Sequence, residues 1–558
     1  MTTTDVLIVG AGPTGLTMAT LLIRMGVRIR IVEKTPGPTE QTRAIVVHAK
    51  TLELFAKLHL ADKAVEQGQR IDAFRLMNED KQAGLISFRG ESERTPYPFP
   101  LIYTQDRTEH LLIDSLAEAG GLVEWNTELL SLEQGLRGTR ATLRHTDGRE
   151  EIVEAGWIVG ADGAHSFIRY ALSLGFAGES YKQALFLADI DLQGNLKEKE
   201  VVGGFTRLGF FTLFPMPGAR RFRVVGSLPL QYSNQETLTV DEVQQILNTY
   251  KLQVTITQAR WISVYRTHHR MSERFRVGRV FLVGDAAHIH SPAGGQGMNT
   301  GIGDAYNLAW KLGLVVTGKA RMELLDSYEA ERMPFARAIL NGSDKLFHVQ
   351  GMSQPVVQWF KMFGLPPLLS VVTSIPPLRR RIFWLLSQLW TSYRHSPAVA
   401  TSEPHTKGPQ AGDRAPYGIF EVGPDKGKSL FSKLEGVDHH LLLFAGRRVG
   451  FTGLDLQTMQ ERLQSLLSRY RVPVHVHTIA ARNLHLHRQY GAEEPSVFLI
   501  RPDGHIAYRG RGEDVVSFAS YLDGLFTRAE GSAFEEAIDV GERGPRMEAG
   551  TSAQGCNG

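Results

Sequence analysis

Asp285 is the residue whose surroundings say most about chemistry. It follows Gly284 at the end of residues 280–283, a short apolar run of the kind that forms a buried strand. Open α/β sheets bind ligands at the carboxyl ends of their strands. The loop beyond carries glycines at 294, 295, 297 and 301, which let backbone come close to a flat ligand. A helical pattern begins near Asn299, with Ile302, Ala305, Leu308, Ala309 and Leu312 on one face. The combination would point a carboxylate at sugar-like hydroxyls and aim a helix N-terminus at a spot where negative charge could sit.

A second constellation opens the chain. Gly10, Gly12 and Gly15 follow the apolar run 6–9 and precede a helical pattern over 16–25; a second strand over 27–32 ends at Glu33. The glycines allow a tight turn, close approach to a pyrophosphate and helix–strand packing, while the acid can accept ribose hydroxyls. A dinucleotide site is expected, and this motif alone does not separate FAD from NAD. A third stretch, Asp162-Gly163 followed by Ser166 and Arg169, reads by itself as a strand end and a turn.

Together the three stretches resemble the motifs of the single-component FAD-dependent aromatic hydroxylases, the para-hydroxybenzoate and phenol hydroxylase family. The resemblance implies that Gly10, Gly12, Gly15 and Glu33 hold the adenosine half of FAD. It also implies that Gly284 and Asp285 face the ribityl chain, that Pro292 lies beside the flavin ring, and that the amides of Gly295, Gly297, Met298 and Asn299 face its pyrimidine edge. Asp162 and Arg169 would serve both FAD and the nicotinamide cofactor. Arg43, before a helix over 49–58, and Gln105, before a helix over 109–119, match further flavin-side positions. The activity implied is hydroxylation of a phenol, a phenolic acid or a polycyclic aromatic with NADPH or NADH and O2, through a flavin C4a-hydroperoxide. Other chemistries of the same fold are Baeyer–Villiger oxidation, epoxidation, halogenation and dehydrogenation, and a non-catalytic FAD-binding scaffold is a further reading. No Trp-x-Trp pair follows the flavin motifs, which argues against halogenation.

These residues need a frame. The fold class expected is α/β: a Rossmann-like FAD-binding domain, an inserted β-sheet substrate domain and a C-terminal thioredoxin-like α/β domain. The divisions are 1–180 and 277–350 for FAD binding, 181–276 for the substrate sheet, and 351–397 for a helical subdomain. A linker over 398–410, the thioredoxin-like unit over 411–528 and a disordered tail over 529–558 complete the chain. Residues 122–155 read as an antiparallel meander. The substrate segment is rich in aromatics and arginines, and the resemblance implies a sheet over the flavin with a helix over 240–250 packed on it. A phenolic substrate reacts faster as phenolate, so a base would help. Asp189, Asp191, His268, His269, Tyr181 and Tyr265 are all candidates, and the sequence singles out none as catalytic.

Bulk properties exclude several classes. At 558 residues the chain exceeds a single compact core. A net charge of +3 gives no electrostatic case for nucleic acid. Cys556 is the only cysteine, so there is no intrachain disulfide, no thiolate metal cluster and no dithiol exchange in the thioredoxin-like unit, where Pro495 holds the place of that fold's cis-proline. No basic leader or membrane-length apolar run occurs, which fits a cytoplasmic protein. The basic, proline-broken apolar stretch 355–395 could dock on a membrane surface, but a helical subdomain packed on the flavin domain is the expected arrangement. A homodimer is the usual expectation of the resemblance.

Overall fold

The computed structural model describes all residues except 1, 41–43, 79–80, 89–92, 137, 207–208, 234, 291–293, 352–356, 358, 404–406, 448–452 and 531–558. Its first sheet is built around Thr2–Val9, whose second half is buried on both faces as a central parallel strand must be. The order is Arg276–Val277, Val280–Leu282, Glu150–Gly160, Thr2–Val9, Ile29–Val32, Val123–Glu124. Glu128–Gln134 and Thr139–Arg144 continue antiparallel from Glu150–Gly160. The expected meander therefore holds for these strands but not for Val123–Glu124. That strand returns from the helix Gln105–Glu118 and pairs parallel with Ile29–Val32.

The register sets the position of every motif. Val9 lies opposite Val32 and Gly160, and Gly160 opposite Leu282. The carboxyl ends of four strands thus finish level, placing Gly10, Glu33, Asp162 and Gly284 along one edge.

A second eight-stranded sheet carries His288–Ile289, Val254–Ser272, Phe176–Gly194, Arg221–Ser227, Gly209–Pro215, Glu200–Thr206, Ala73–Asn78 and Lys81–Ser87. The last two come from within residues 1–180; their alternation is too weak to announce strands. One face buries Phe186, Ile190, Phe211 and Val224 against the helix Val240–Thr249. Thr239 and Glu242 cap that helix reciprocally, so its start is fixed locally.

The C-terminal sheet runs Ala400–Thr401, Ile506–Arg511, Ser496–Ile500, His439–Phe444, Val474–Ile479, with parallel pairs at both edges and two antiparallel pairs between them. That mixed order is the one a thioredoxin-like unit needs. Ala400–Thr401, read from sequence as linker, is its edge strand. No cis peptide occurs among the described residues, so the bond before Pro495 is trans, a departure from the expected cis-proline. This sheet shares a hydrophobic core with Trp310, Leu314 and Leu324 of the preceding unit.

A fully buried charge cluster crosses the same boundary. Glu331 accepts hydrogen bonds from Arg501 at 2.7 and 2.8 Å, from Lys311 at 2.8 Å and from Asn307 at 2.6 Å. Burial would raise the Glu331 carboxyl, but Arg501 and Lys311 outweigh it and hold it at about 2. Asp503 pairs with the other edge of Arg501.

Leu365–Ser374 and Pro376–Leu386 form a helical hairpin that rests on Lys81–Ser87. Its packing is one-sided. Phe383 and Leu389 are buried, while Trp359, Phe363, Leu368, Val371 and Leu385 face solvent. Among the described residues no helix is long and apolar enough to cross a membrane.

Candidate functional site

The level strand ends become a site because glycines line them. Gly10 has φ +105°, and a Cβ there would run into the Ala161 carbonyl; at Gly15 it would run into Gly10 itself. Those two positions are closed by packing. Gly12 is different, because a Cβ there would meet nothing within 4 Å. It precedes the helix Pro13–Arg24, whose first-turn amides have no intrahelical acceptors, and Pro13 supplies no N–H where none could be used. The open cradle and the first-turn amides could together hold a phosphate. Glu33 Oε2 accepts from the Ala11 amide at 2.9 Å, which fixes the carboxylate beside this turn.

The second glycine loop docks on the first. Thr14 occupies the space where side chains at Gly284 or Gly301 would stand, so Pro13–Arg24 and Gln296–Val316 lie against each other. Asp285 is exposed at the strand end, directed away from the core that buries Gly284 and Ala286. The helix starts at Gln296, not near Asn299 as read from sequence. Gly294 and Gly295, at φ +80° and +63°, make the left-handed turn that allows an earlier start. Gln296, Gly297 and Met298 are consequently first-turn residues, and a Cβ at Gly297 would meet nothing within 4 Å. This opening suits the anionic edge of a flavin.

Three of the expected site residues have side chains held by protein partners. The Asn299 side chain is fully engaged: Oδ1 accepts from His48 N and Thr51 Oγ1, and Nδ2 donates to Val46 O and Gly295 O. It locks the helix start to residues 46–51 and is not free for a ligand. Arg169 donates to the Ala286 and Ala164 carbonyls at 2.8 and 2.9 Å and stacks on Phe176. It braces the turn that carries Asp285. Gln105 is the first residue of its helix, which begins four residues before the expected start; its side chain donates to Glu109 at 2.9 Å, and Thr104 makes no side-chain cap. Asp162 accepts from Ile168 N at 3.1 Å, while its Oδ1 is buried and has no protein partner, as a ligand-facing oxygen would be. Burial pushes its carboxyl up. Arg43 and Pro292 lie outside the described residues.

Sequence reasoning missed the buried scaffold behind Asp285. Asp304 accepts from Gly284 N at 3.0 Å, from Arg332 Nε at 2.6 Å and bonds His288 Nε2 at 2.6 Å. Burial opposes the charge on Asp304, yet Arg332 and His288 hold it at about 2. His288 bonds His290 Nε2 at 2.9 Å, and His290 Nδ1 is buried with no protein partner. His48 Nε2 bonds the Gly294 carbonyl at 3.0 Å, and burial lowers that ring to about 4. A sharper signal was present in the repeated His-x-His at 288–290, but its partners lie far along the chain.

Burial keeps further histidines neutral, with His505 near 4, His439 near 3 and His440 near 2. In the unfolded chain each takes a proton as pH falls through about 6.5. Protons thus bind the unfolded chain first, and stability rises with pH across the window from these folded values up to about 6.5. At pH 5 every folded value is still below the pH, so the penalty depends on the unfolded value alone, about 2 kcal/mol per ring. Urea unfolding midpoints at pH 7 and pH 5 check this; unchanged midpoints would contradict neutral burial.

Strand parity decides which face of the second sheet looks at the site. Val202 packs on the helix side, whereas Val201, Met216 and Phe214 pack with Ile45 and Val46, beside Gly295. Asp189 lies opposite both Arg223 and Trp261, Phe214 opposite Arg223, and Leu185 opposite Tyr265, all on this inner face. Asp189 and Arg223 form a buried two-pronged ion pair at 2.6 Å, with the guanidinium 5.6 Å from the Trp261 ring centre. Asp189 is thereby engaged, and Asp191 is bonded to Arg260. Burial raises the Tyr265 phenol well above its usual value and lowers His268. The Tyr181 side chain lies outside the described residues, and no group stands out as the base.

A family profile described as FAD binding domain matches residues 3–343. The chain is 33% identical over 97% of its length to 6-methylpretetramide 4-monooxygenase of Streptomyces rimosus, 97% of which is covered. It is 34% identical to pentachlorophenol 4-monooxygenase of Sphingobium chlorophenolicum, over 74% of this chain and 75% of that one. Among solved structures, the anhydrotetracycline hydroxylase OxyS of Streptomyces rimosus aligns with a TM-score of 0.70 at 27% identity, over 94% of this chain and 100% of that one. Aklavinone-11 hydroxylase, solved with FAD and aklavinone, aligns with a TM-score of 0.73 at 25% identity, over 93% and 98%.

Proposed function

From the premise that this chain belongs to the single-component FAD-dependent aromatic monooxygenases, we propose that it hydroxylates a polycyclic phenol, using NADPH or NADH and O2. The observation that carries the reading is the level alignment of four strand ends with the Gln296 helix start, under a sheet face bearing Phe214, Trp261 and Tyr265. FAD held at this site would supply the hydride acceptance from the nicotinamide and the oxygen activation.

The protein's own residues supply the rest. The Gly12 cradle and the first turn of Pro13–Arg24 hold the pyrophosphate, with Glu33 toward the ribose. Asp285 accepts a ribityl hydroxyl, kept in place by Arg169 on one side and Asp304 on the other. The amides of Gln296, Gly297 and Met298 stabilise negative charge at the pyrimidine edge of the ring. The aromatic inner face stacks on a planar substrate and keeps water from the reacting carbon. Arg223, already neutralised by Asp189, gives this face polarity without a net charge, which suits a phenol or quinone oxygen better than a carboxylate. The 6-methylpretetramide monooxygenase relative supports the polycyclic class, and the pentachlorophenol monooxygenase relative supports a phenol over a carboxylate.

The test follows NADPH and NADH oxidation by the FAD-loaded protein with polycyclic phenols, simple phenols and phenolic acids, and weighs the products. Stimulated oxidation with a gain of one oxygen atom by a polycyclic phenol is expected. Stimulation by simple phenolic acids alone would overturn the substrate class.

A further inference from the structure

The helix Gln296–Val316 begins without a cap of its own. Gly295 stands at its N-cap position, where Ser, Thr, Asp or Asn would ordinarily hold the first amides, and no acidic residue follows in the first turn. Those amides are left for a ligand, but the backbone that aims them has to be fixed from elsewhere. Gly294 and Gly295 need that support most. Both sit in the left-handed region, at φ +80° and +63°, and glycine has the most freedom to leave it. Gly294 also precedes the N-cap, so its carbonyl lies before the first acceptor of the helix ladder.

The support comes from His48. Its Nε2 lies 3.0 Å from the Gly294 carbonyl, which can only accept, so this ring nitrogen carries the proton and donates. His48 is itself the N-cap residue of the helix Ala49–Lys57, yet its side chain makes no cap there. The ring serves the facing loop instead. It is buried, and burial holds it near 4, so at neutral pH it is an uncharged imidazole that acts through position and not through charge. The strand Val46–Val47 that leads to it pairs with Leu101–Ile102, which pairs in turn with Gln69–Arg70. Val46 packs where a Cβ of Gly295 would stand. The donor is therefore mounted on a small sheet, in direct contact with the turn it holds.

We propose that His48 is a positioning residue for the cofactor: by holding the Gly294 carbonyl it fixes the turn that aims the Gln296, Gly297 and Met298 amides, and so raises the reduction potential of the bound flavin. Reduced flavin carries negative charge along its pyrimidine edge whereas the oxidised ring is neutral, so amides held in place favour the reduced form. Asn299 does not duplicate this role. Its side chain bonds Val46, His48, Thr51 and Gly295, which leaves the Gly294 carbonyl to the histidine. Because Asn299 meets the backbone of Val46 and His48, exchanging the His48 ring leaves that anchor in place. The role given to His48 rests on those amides facing the flavin.

Reduction potentials of the FAD-loaded full chain, measured against reference dyes, test it. His48→Asn shortens the side chain to the reach of Nδ1, and His48→Met fills similar space with no donor. Either should disfavour reduced against oxidised flavin at least about tenfold, a potential about 30 mV lower, because a hydrogen bond to a charged group is worth at least that much. His48→Gln carries an amide N–H to the place of Nε2 and should stay within about twofold of the native preference, about 10 mV. Affinity for oxidised FAD, read by flavin fluorescence, should change less than the preference for the reduced form does. Native potentials in His48→Asn and His48→Met would overturn the proposal, and so would an equal drop in all three variants, which would mean packing alone. Gly297→Val, whose side chain meets nothing in the protein, separates this role from the flavin-facing assignment. If it leaves FAD binding and potential as they are, the amides do not face the ring, and the role of His48 falls with them. If it disrupts either while His48→Asn and His48→Met keep the native potential, the amides face the ring and only the part given to His48 is wrong.

Discussion

Glu331→Gln is expected to lower the unfolding free energy by about 3–5 kcal/mol, the usual result of breaking a buried ion pair by removing one partner. Glu331 is wholly buried and is the acceptor that Arg501, Lys311, Asn307 and Ser396 share. Without its charge Arg501 keeps Asp503, but Lys311 keeps only the Asn307 side-chain oxygen, at 2.8 Å. Burial already lowers Lys311 to about 8, so the variant lysine would shed its proton more readily still. Urea unfolding at pH 7, followed by tryptophan emission, reads the loss. Trp310 lies 5.0 Å from the Arg501 guanidinium and reports directly on the cluster. A change under about 1 kcal/mol would mean that water enters the boundary and screens the charges.

The other large effect is at the cofactor. Gly12→Val should fold yet bind FAD at least about 100-fold more weakly, because one lost charge-assisted hydrogen bond is worth about 1.5–3 kcal/mol and the side chain also fills the phosphate cradle. Its Cβ meets nothing within 4 Å in the protein, so the damage falls on the ligand alone. Gly15→Ala should behave in the opposite way, failing to fold, because its Cβ collides with the Gly10 carbonyl. Circular dichroism and flavin retention after gel filtration separate the two. A Gly12→Val protein that stays yellow would remove the phosphate assignment.

Local signals in the chain announced much of this arrangement. The strand-turn-helix at 6–24 and the strand end at Asp285 were legible because glycine spacing and apolar runs are set by neighbouring residues. The helix start was misplaced because the glycines at 294, 295 and 297 read as loop, whereas the left-handed turn at Gly294 and Gly295 lets Gln296, Gly297 and Met298 join the helix despite the poor propensity of Gly297. The duties of Asn299 and Asp304 were illegible for another reason. Their partners at 46–51 and 332 are distant in sequence, and only the tertiary fold brings them together. Which aromatics face the site could not be read either, because register shifts in Phe176–Gly194 and Val254–Ser272 break simple alternation.

Tyr393 joins two features so far treated separately. Its hydroxyl accepts from Arg332 at 2.8 Å, and its ring lies 5.2 Å from the Arg501 guanidinium and 4.4 Å from the His505 ring. A polar chain therefore runs from Gly284 through Asp304, Arg332 and Tyr393 to the hairpin at 501–505. The C-terminal unit cannot be handled as an exchangeable cassette. A chimera that takes it from a relative would have to inherit the matching helices Gln296–Val316 and Asp326–Gly351 along with Tyr393, whereas the Val240–Thr249 side of the substrate sheet makes no such demand. Recombination breakpoints that preserve flavin retention should accordingly cluster around the sheet and avoid the interval from 296 to 505.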